Sequence, residues 1–456
     1  MAKQMIRIGA ASGFWGDRPD AALEQVRKGP LDYLVMDYLA EVTMSILQKL
    51  KSRDAERGYA HDFITVMEAI LPEIKEREIC VLSNAGGANP ASCKDALLET
   101  AESLGISNLK VALVDGDDLL PNLPQLTASG HPLKHIETGE PITSIMNSIT
   151  SANAYLSSDP VVDALAEKPD VVITGRVIDA GLAAAPMIHE FGWARHDYNK
   201  RAAGIVGGHL IECGTQSTGG NYTDWQEVDN FYEIGFPVLE AFADGHLELT
   251  KHPGTGGLVN LKSVKEQLIY EIQNPAAYLT PDCVADFTSL KLEATGENRV
   301  SITNISGSAP PEQYKVSASY RSGYQMVATL LYPWPDALAK AQKSGEILKK
   351  RALKLGLKID RWSITYLGYN ACSNRPVDDE ALGGEHHEIQ LRVAAASTSK
   401  EDLELLGKEV IPLVLTGPPG ATGYGGGRPR AKSVFAYWPA LIDRDAVKPR
   451  ISVFEL

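Results

Sequence analysis

The 456 residues carry 44 Lys and Arg against 58 Asp and Glu, a formal net charge of -14, and 44% of them are hydrophobic. This ordinary globular composition excludes disorder, collagen and coiled coil, and the length fits two domains better than one. The acidic balance argues against general nucleic-acid binding, which needs a basic surface, yet local cations such as Arg18, Arg176 and Lys251 could still hold a carboxylate or phosphate.

Cys80, Cys93, Cys213, Cys283 and Cys372 are scattered, odd in number and without CxxC spacing, the usage of a reducing compartment. The first residues lead straight into a strand-like run with no signal-peptide core, and no segment is apolar and long enough to span a bilayer. The expected localisation is cytoplasmic, without membrane attachment.

In chain order, β-branched apolar runs predict strands at 6–11, 33–38, 79–84, 109–115 and 171–175. Helical patterns at 20–28, 39–53, 63–76 and 90–104 supply crossover connections, so the strands should be parallel and buried on both faces. Ser12, Asp37, Asn84, Asp115 and Arg176 end these strands, where open parallel sheets bind ligands. From about Gly245 the pattern changes to strands at 284–294, 299–304, 314–322, 324–332, 362–368 and 388–396, with helices near 335–355 and 400–414. Short turns at Gly296-Glu297-Asn298 and Arg321-Ser322-Gly323-Tyr324 predict hairpins. The Gly- and Pro-rich stretch 416–430 reads as a mobile or ligand-facing loop. The expected fold is α/β: an N-terminal parallel sheet with crossover helices over 1–244, then an α+β domain with antiparallel strands over 245–456.

Five segments carry candidate chemistry. Gly9 to Arg18 follows the first strand; its glycine spacing is wrong for a dinucleotide loop, leaving either a small anionic or carbonyl ligand near Gly13, Asp17 and Arg18, or a turn capped by Asp17. Ser83 to Pro90 could form an anion nest at a helix start, with Gly86 and Gly87 freeing backbone donors beside Asn84, or simply a capped turn. At the end of the fifth strand Arg176 and Asp179 are spaced for an ion pair or for a carboxylate grip with an acidic helper.

In the fourth segment, Gly207 to Asn221, glycines surround His209 and Glu212, whose i,i+3 spacing places both on one face if the segment is helical. A catalytic pair and a structural hydrogen bond are both open there, and Cys213 reads as inert. HxxE lacks the second histidine of a zinc helix, so no metal set is assigned, though metal binding through His209, Glu212 and an aspartate stays open. In the fifth segment, Lys251 with Gly254, Thr255, Gly256 and Gly257 is not a Walker loop but could hold a carboxylate or enolate oxygen against backbone amides.

Taken in order, these segments, with Leu31 to Thr43 and Tyr270 to Asp282, resemble the acyclic terpene utilisation (AtuA) family over nearly the whole chain. The resemblance implies a component of branched acyl-CoA breakdown, a pathway of carboxylation, hydration and C–C cleavage. Many members carry a further C-terminal domain, whereas this chain ends at Leu456. That difference implies either a separate small partner subunit or no need for one.

The resulting expectation is a cytoplasmic catabolic lyase of the hydratase or dehydratase type, forming a homo-oligomer and acting on a small branched carboxylate or its acyl-CoA thioester. His209, Glu212 and Asp179 would carry acid/base work, with Arg176, Lys251 and the glycine loops binding substrate. The alternative is a non-catalytic binding or assembly subunit. No cofactor is assigned, and no nucleic-acid partner is expected.

Overall fold

The computed structural model describes residues 3–372, 386–423 and 427–456. The strands are β1 (Met5–Ser12), β2 (Tyr33–Met36), β3 (Cys80–Ser83), β4 (Lys110–Asp115), β5 (Ile149–Ala154), β6 (Val171–Thr174), β7 (Pro237–Phe242), β8 (Leu247–Lys251) and β9 (Tyr278–Leu279). They continue with β10 (Val284–Asp286), β11 (Lys291–Gly296), β12 (Arg299–Thr303), β13 (Ser306–Ser308), β14 (Gln313–Pro333), β15 (Arg361–Leu367), β16 (Glu388–Ser397), β17 (Lys432–Asp443) and β18 (Arg450–Glu455). The helices used below are α1 (Ala21–Lys28), α2 (Glu41–Lys51), α3 (His61–Arg77), α4 (Pro90–Ser103), α5 (Leu123–Ala128), α6 (Asp159–Leu165), α7 (Gly181–Phe191), α8 (Tyr198–Glu212), α9 (Leu261–Ile269), α10 (Ala337–Lys354) and α11 (Lys400–Val410).

The chain divides into two compact units, one of residues 1–319 with 437–456 and one of residues 320–436. The first is built on a ten-stranded sheet of order β11-β12-β8-β7-β1-β2-β3-β6-β4-β18. Its centre, β1-β2-β3-β6-β4, is parallel, and β7 and β18 flank it antiparallel. After β3 the chain skips a position to β4, and β6 returns to fill the gap. Such a change of order leaves a crevice at the carboxyl ends of the strands.

Helices cover both faces, which is why β2 and β6 are buried at every residue. Under α1, α3 and α4, Leu34, Met36, Val81, Leu113 and Ile173 pack with Val26, Phe63, Met67, Ile70 and Leu97. The strand residues of opposite parity meet the second layer, where α6 lies against β4 and β6, and α7 and α8 against β1. This is a mixed α/β architecture with crossover helices. Residues 245–319 also lie in this unit, because β8 forms an antiparallel hairpin with β7 and hands on to β12. The change of rhythm at Gly245 therefore marks antiparallel additions to the same sheet.

The second unit carries an antiparallel sheet of order β15-β16-β14-β17, backed by α10 and α11. Leu330, Leu391 and Val393 pack there with Ala341, Leu348, Leu403 and Leu406. The hairpin expected at Arg321 to Tyr324 is absent: β14 runs unbroken through Gly323, whose φ of +128° absorbs the irregularity. The turn at Gly296 to Asn298 does join β11 to β12. Residues 424–426 of the expected glycine-rich loop lie outside the described residues. No helix among the described residues is long and apolar enough to cross a membrane.

Candidate functional site

The crevice forms where β1 ends at Ser12, β2 is followed by Asp37, β3 by Asn84 and β6 by Arg176. Helices α7 and α8 close over it. They approach through Gly208, where an added Cβ would stand 2.2 Å from the Ala180 carbonyl oxygen, and through Gly204, which faces Ala184. The glycines of this segment therefore permit helix contact rather than forming an anion-binding loop. Ser12, Asp37, Asp179 and Glu212 line a small cavity with Val35, Leu182, Ala183, Gly208 and Ile211. It measures about 10 Å³, room for roughly one water.

Asp37 is 7% exposed, and its Oδ1 accepts from Asn84 Nδ2 at 2.6 Å and from the Leu39 N–H at 3.0 Å. Asn84 is held in turn by the Tyr38 N–H, which donates to its Oδ1 at 2.8 Å. Burial and then the neighbouring charge of Asp179 push the Asp37 carboxyl well above the usual range, against the opposing pull of Arg176. Burial also raises Asp179; Arg176 lowers it, and Glu212 adds to the rise. Three carboxyl groups thus share one small, poorly solvated space with a single contacting guanidinium, which favours a proton being retained among them.

Arg176 is 2% exposed. Its guanidinium pairs with both Asp179 oxygens, donates to the Val177 carbonyl at 3.2 Å and stacks on the Tyr155 ring at 4.2 Å. Its buried Nε has no partner among the described residues. Asp117 fixes the start of this segment by accepting the Arg176 N–H at 2.9 Å and Asn153 Nδ2 at 2.8 Å. Burial pushes the Asp117 carboxyl up to about 6. Gly175 is required beside it, since a Cβ there would lie 2.2 Å from Asp117 Oδ1. Tyr155 donates its hydroxyl to Glu41 at 2.7 Å, and Lys315 donates to the same carboxylate at 3.2 Å.

His209 and Glu212 share one face of α8, as their spacing predicts for a helix. His209 Nδ1 meets Glu212 Oε1 at 2.7 Å, and Nε2 meets the Gln267 carbonyl at 2.9 Å. A carbonyl only accepts, so Nε2 carries a proton. Burial disfavours the imidazolium, but the Glu212 charge, its hydrogen bond and the Gln267 carbonyl together raise the His209 pKa. Rings of Tyr278 and Phe287 enclose the imidazole. His209 does not line the cavity: it positions Glu212, which does.

Other expected site residues lie elsewhere or are already engaged. Asp17 takes the Gly13 and Arg18 N–H groups, closing its own turn, while Arg18 is held by Asp20, Glu24 and the Ile234 carbonyl. Gly13 serves close packing, since a Cβ would meet the Gly214 nitrogen at 2.7 Å. In the expected nest, the N–H groups of Gly87, Ala88 and Asn89 donate to the carbonyls of Asn84, Gly58 and Gly86, and Gly86 packs against the Thr174 carbonyl.

Lys251 ends β8, five strand positions from β6, or roughly 24 Å at ~4.8 Å per strand. Its Nζ donates to the Thr255 carbonyl at 2.7 Å. Thr255 Oγ1 donates to the His252 carbonyl at 2.7 Å, and the Gly256 and Gly257 N–H groups are spent on Glu233 and Asp229. Gly254 takes a φ of +74° at the loop's open tip. Lys251 and Arg176 therefore do not share a cavity.

Sequence reasoning undervalued Ser12 and Asp37, although their positions at strand ends were the available signal. It missed Asp117, Tyr155, Glu41 and Lys315, which become neighbours of Arg176 only through long-range packing. Burial pushes the Cys213 thiol up, away from the reactive thiolate. Among the described residues, no three His, Cys, Asp or Glu side chains gather in a metal-holding group.

Residues 6–453 match the model of a family described as acyclic terpene utilisation family protein AtuA. No curated protein matches the chain.

Proposed function

The chain belongs to the acyclic terpene utilisation family, and on that premise we propose that it is a cytoplasmic catabolic enzyme working on a branched carboxylate or its acyl-CoA thioester by acid/base chemistry. The reaction is hydration, dehydration or a related lyase step. The observation that carries this reading is the convergence of Asp37, Asp179 and Glu212 on one cavity at the carboxyl ends of β1, β2 and β6. A lyase step needs one group that gives a proton and one that takes it, and carboxyls in unequal surroundings supply both.

In this scheme the Asp37 carboxyl, whose hold on its proton is strengthened by burial and by the charge of Asp179, donates to the departing hydroxyl. Glu212, fixed through Oε1 by His209, uses Oε2 to remove the proton next to the carbonyl. Arg176 holds Asp179 in place by pairing with both of its oxygens, and its charge favours a substrate oxygen that gains negative charge nearby. The cavity's room for about one water suits the small molecule added or lost.

The test is proton exchange. Purified protein incubated in D2O with branched hydroxyacyl or unsaturated acyl substrates should wash deuterium into the position next to the carbonyl, and Glu212→Gln should lower the rate by about 10²–10⁴-fold. Exchange unchanged in Glu212→Gln would overturn the assignment. Tight substrate binding with turnover only after a separate small protein is added would favour a binding or assembly subunit.

A further inference from the structure

We infer that the second unit holds a separate binding site for a nucleotide-sized ligand bearing two or more phosphates. The inference stands independently of the acid/base reading. Residues 320–436 contain 16 Lys and Arg against 12 Asp and Glu, a net of +4 inside a chain whose net charge is -14. A reversal of sign confined to one unit calls for an anionic partner of that unit.

The charge has a shaped place to act. A groove of about 600 Å³ lies on this unit, its floor formed by β14 through Gln325, Val327 and Thr329. Arg428, Arg430 and Lys432 line it together. Lys432 opens β17, Arg430 lies two residues before it, and Arg428 sits in a bend ahead of them. None of the three makes a side-chain hydrogen bond or ion pair among the described residues. The nearby Glu404 carboxylate is turned to the Ala431 N–H at 3.1 Å instead. Among the described residues, no acidic side chain lines the groove.

Three cations in one concavity, with no paired carboxylate among the described residues, favour an anion that joins them. Two guanidinium forks favour phosphate oxygens bidentately, and the lysine adds a point charge. Positions two apart in a chain stand up to roughly 7 Å apart, so three cations spread over five residues suit more than one phosphate. The volume falls in the ordinary range of small-molecule pockets, about 300–1,000 Å³, which favours a nucleotide over a polymer. Val327 is 41% exposed and offers an apolar surface for a base or sugar, with Gln325 and Thr329 beside it to hydrogen-bond.

The experiment is calorimetric titration of the full chain with ADP, set against adenosine, inorganic phosphate and a short single-stranded oligonucleotide. ADP should bind, adenosine should not, and inorganic phosphate should bind more weakly than ADP. The triple variant Arg428→Ala, Arg430→Ala, Lys432→Ala should weaken ADP at least ten-fold at an unchanged unfolding temperature. Each single variant, which is less exposed to any folding defect, should weaken it roughly two- to five-fold, by loss of one charge-assisted contact. Absence of ADP binding at millimolar concentration, equal affinity in the variants, or preference for the oligonucleotide would each overturn the inference.

Discussion

Gly208 lies so close to Ala180 that a single methyl group on it would meet the carbonyl oxygen at 2.2 Å and the Cα at 2.6 Å. Both contacts are with backbone, which cannot swing aside as a flexible side chain would. Gly208→Ala should therefore push α8 from α7 and cost about 1–3 kcal/mol or more as overpacking. Because Glu212 sits one turn further along the same helix, substrate turnover should fall as well. Thermal unfolding and steady-state kinetics on the one variant check both.

His209→Ala leaves Glu212 Oε1 and the Gln267 carbonyl without their partner in a buried site. Breaking a buried pair from one side costs roughly 3–5 kcal/mol. The His209 pKa is raised in the folded chain, so the pair's contribution is complete below about pH 6.5, the unfolded value. It is lost as pH rises through the folded value. The gap in unfolding temperature between wild type and His209→Ala should accordingly narrow from pH 6 to pH 9.

Asp37→Asn separates stability from activity. The amide oxygen can keep the bonds from Asn84 and Leu39, while the burial penalty of a carboxylate disappears. Since the folded pKa lies above the unfolded one, the wild-type penalty grows as pH rises past the usual carboxylate value of about 4. The variant should unfold at a higher temperature than wild type at pH 7, show no such gain near pH 3, and lose turnover.

Asp117 gives the same sign in a narrower window. With its pKa pushed up to about 6 against an unfolded value near 3.9, its contribution to stability falls by about 3 kcal/mol between pH 4 and pH 6. Asp117→Asn should flatten the stability profile across that interval in denaturant titrations. A profile unchanged by the substitution would place the charge elsewhere.

Arg176→Lys tests the planar fork. Lysine keeps the positive charge but cannot pair with both Asp179 oxygens or stack flat on Tyr155. Turnover should fall by at least ten-fold while the variant remains folded, as circular dichroism would report.

The parallel core was legible because its strands are buried on both faces and read as unbroken apolar runs. Expected strands at 33–38 and 171–175 became β2 at Tyr33–Met36 and β6 at Val171–Thr174. Helix α4 started at Pro90, the residue that also fits a first helical turn by its fixed φ. The site was legible only in part. Arg176, Asp179 and Glu212 come together because strand ends and one helix face are local features.

The glycine segments misled for a physical reason: glycine marks close approach of backbones as readily as it marks ligand contact. Gly86, Gly87 and Gly208 pack against backbone or leucine, and composition alone does not say what lies opposite. Lys251 shared its sheet end with the site, but the number of strands between them depends on an order that no local pattern encodes.

Strand β18, which pairs along β4 from Arg450 to Glu455, is made only after residues 320–436 have been synthesised. At the usual 5–20 residues per second the ribosome spends roughly 10 s on that excursion. Throughout it, one flank of β4 waits uncovered in the nascent chain, an unfilled pairing edge of the kind that recruits other polypeptides. Slowing translation across the excursion should lengthen that exposure and raise the share of newly made protein that aggregates.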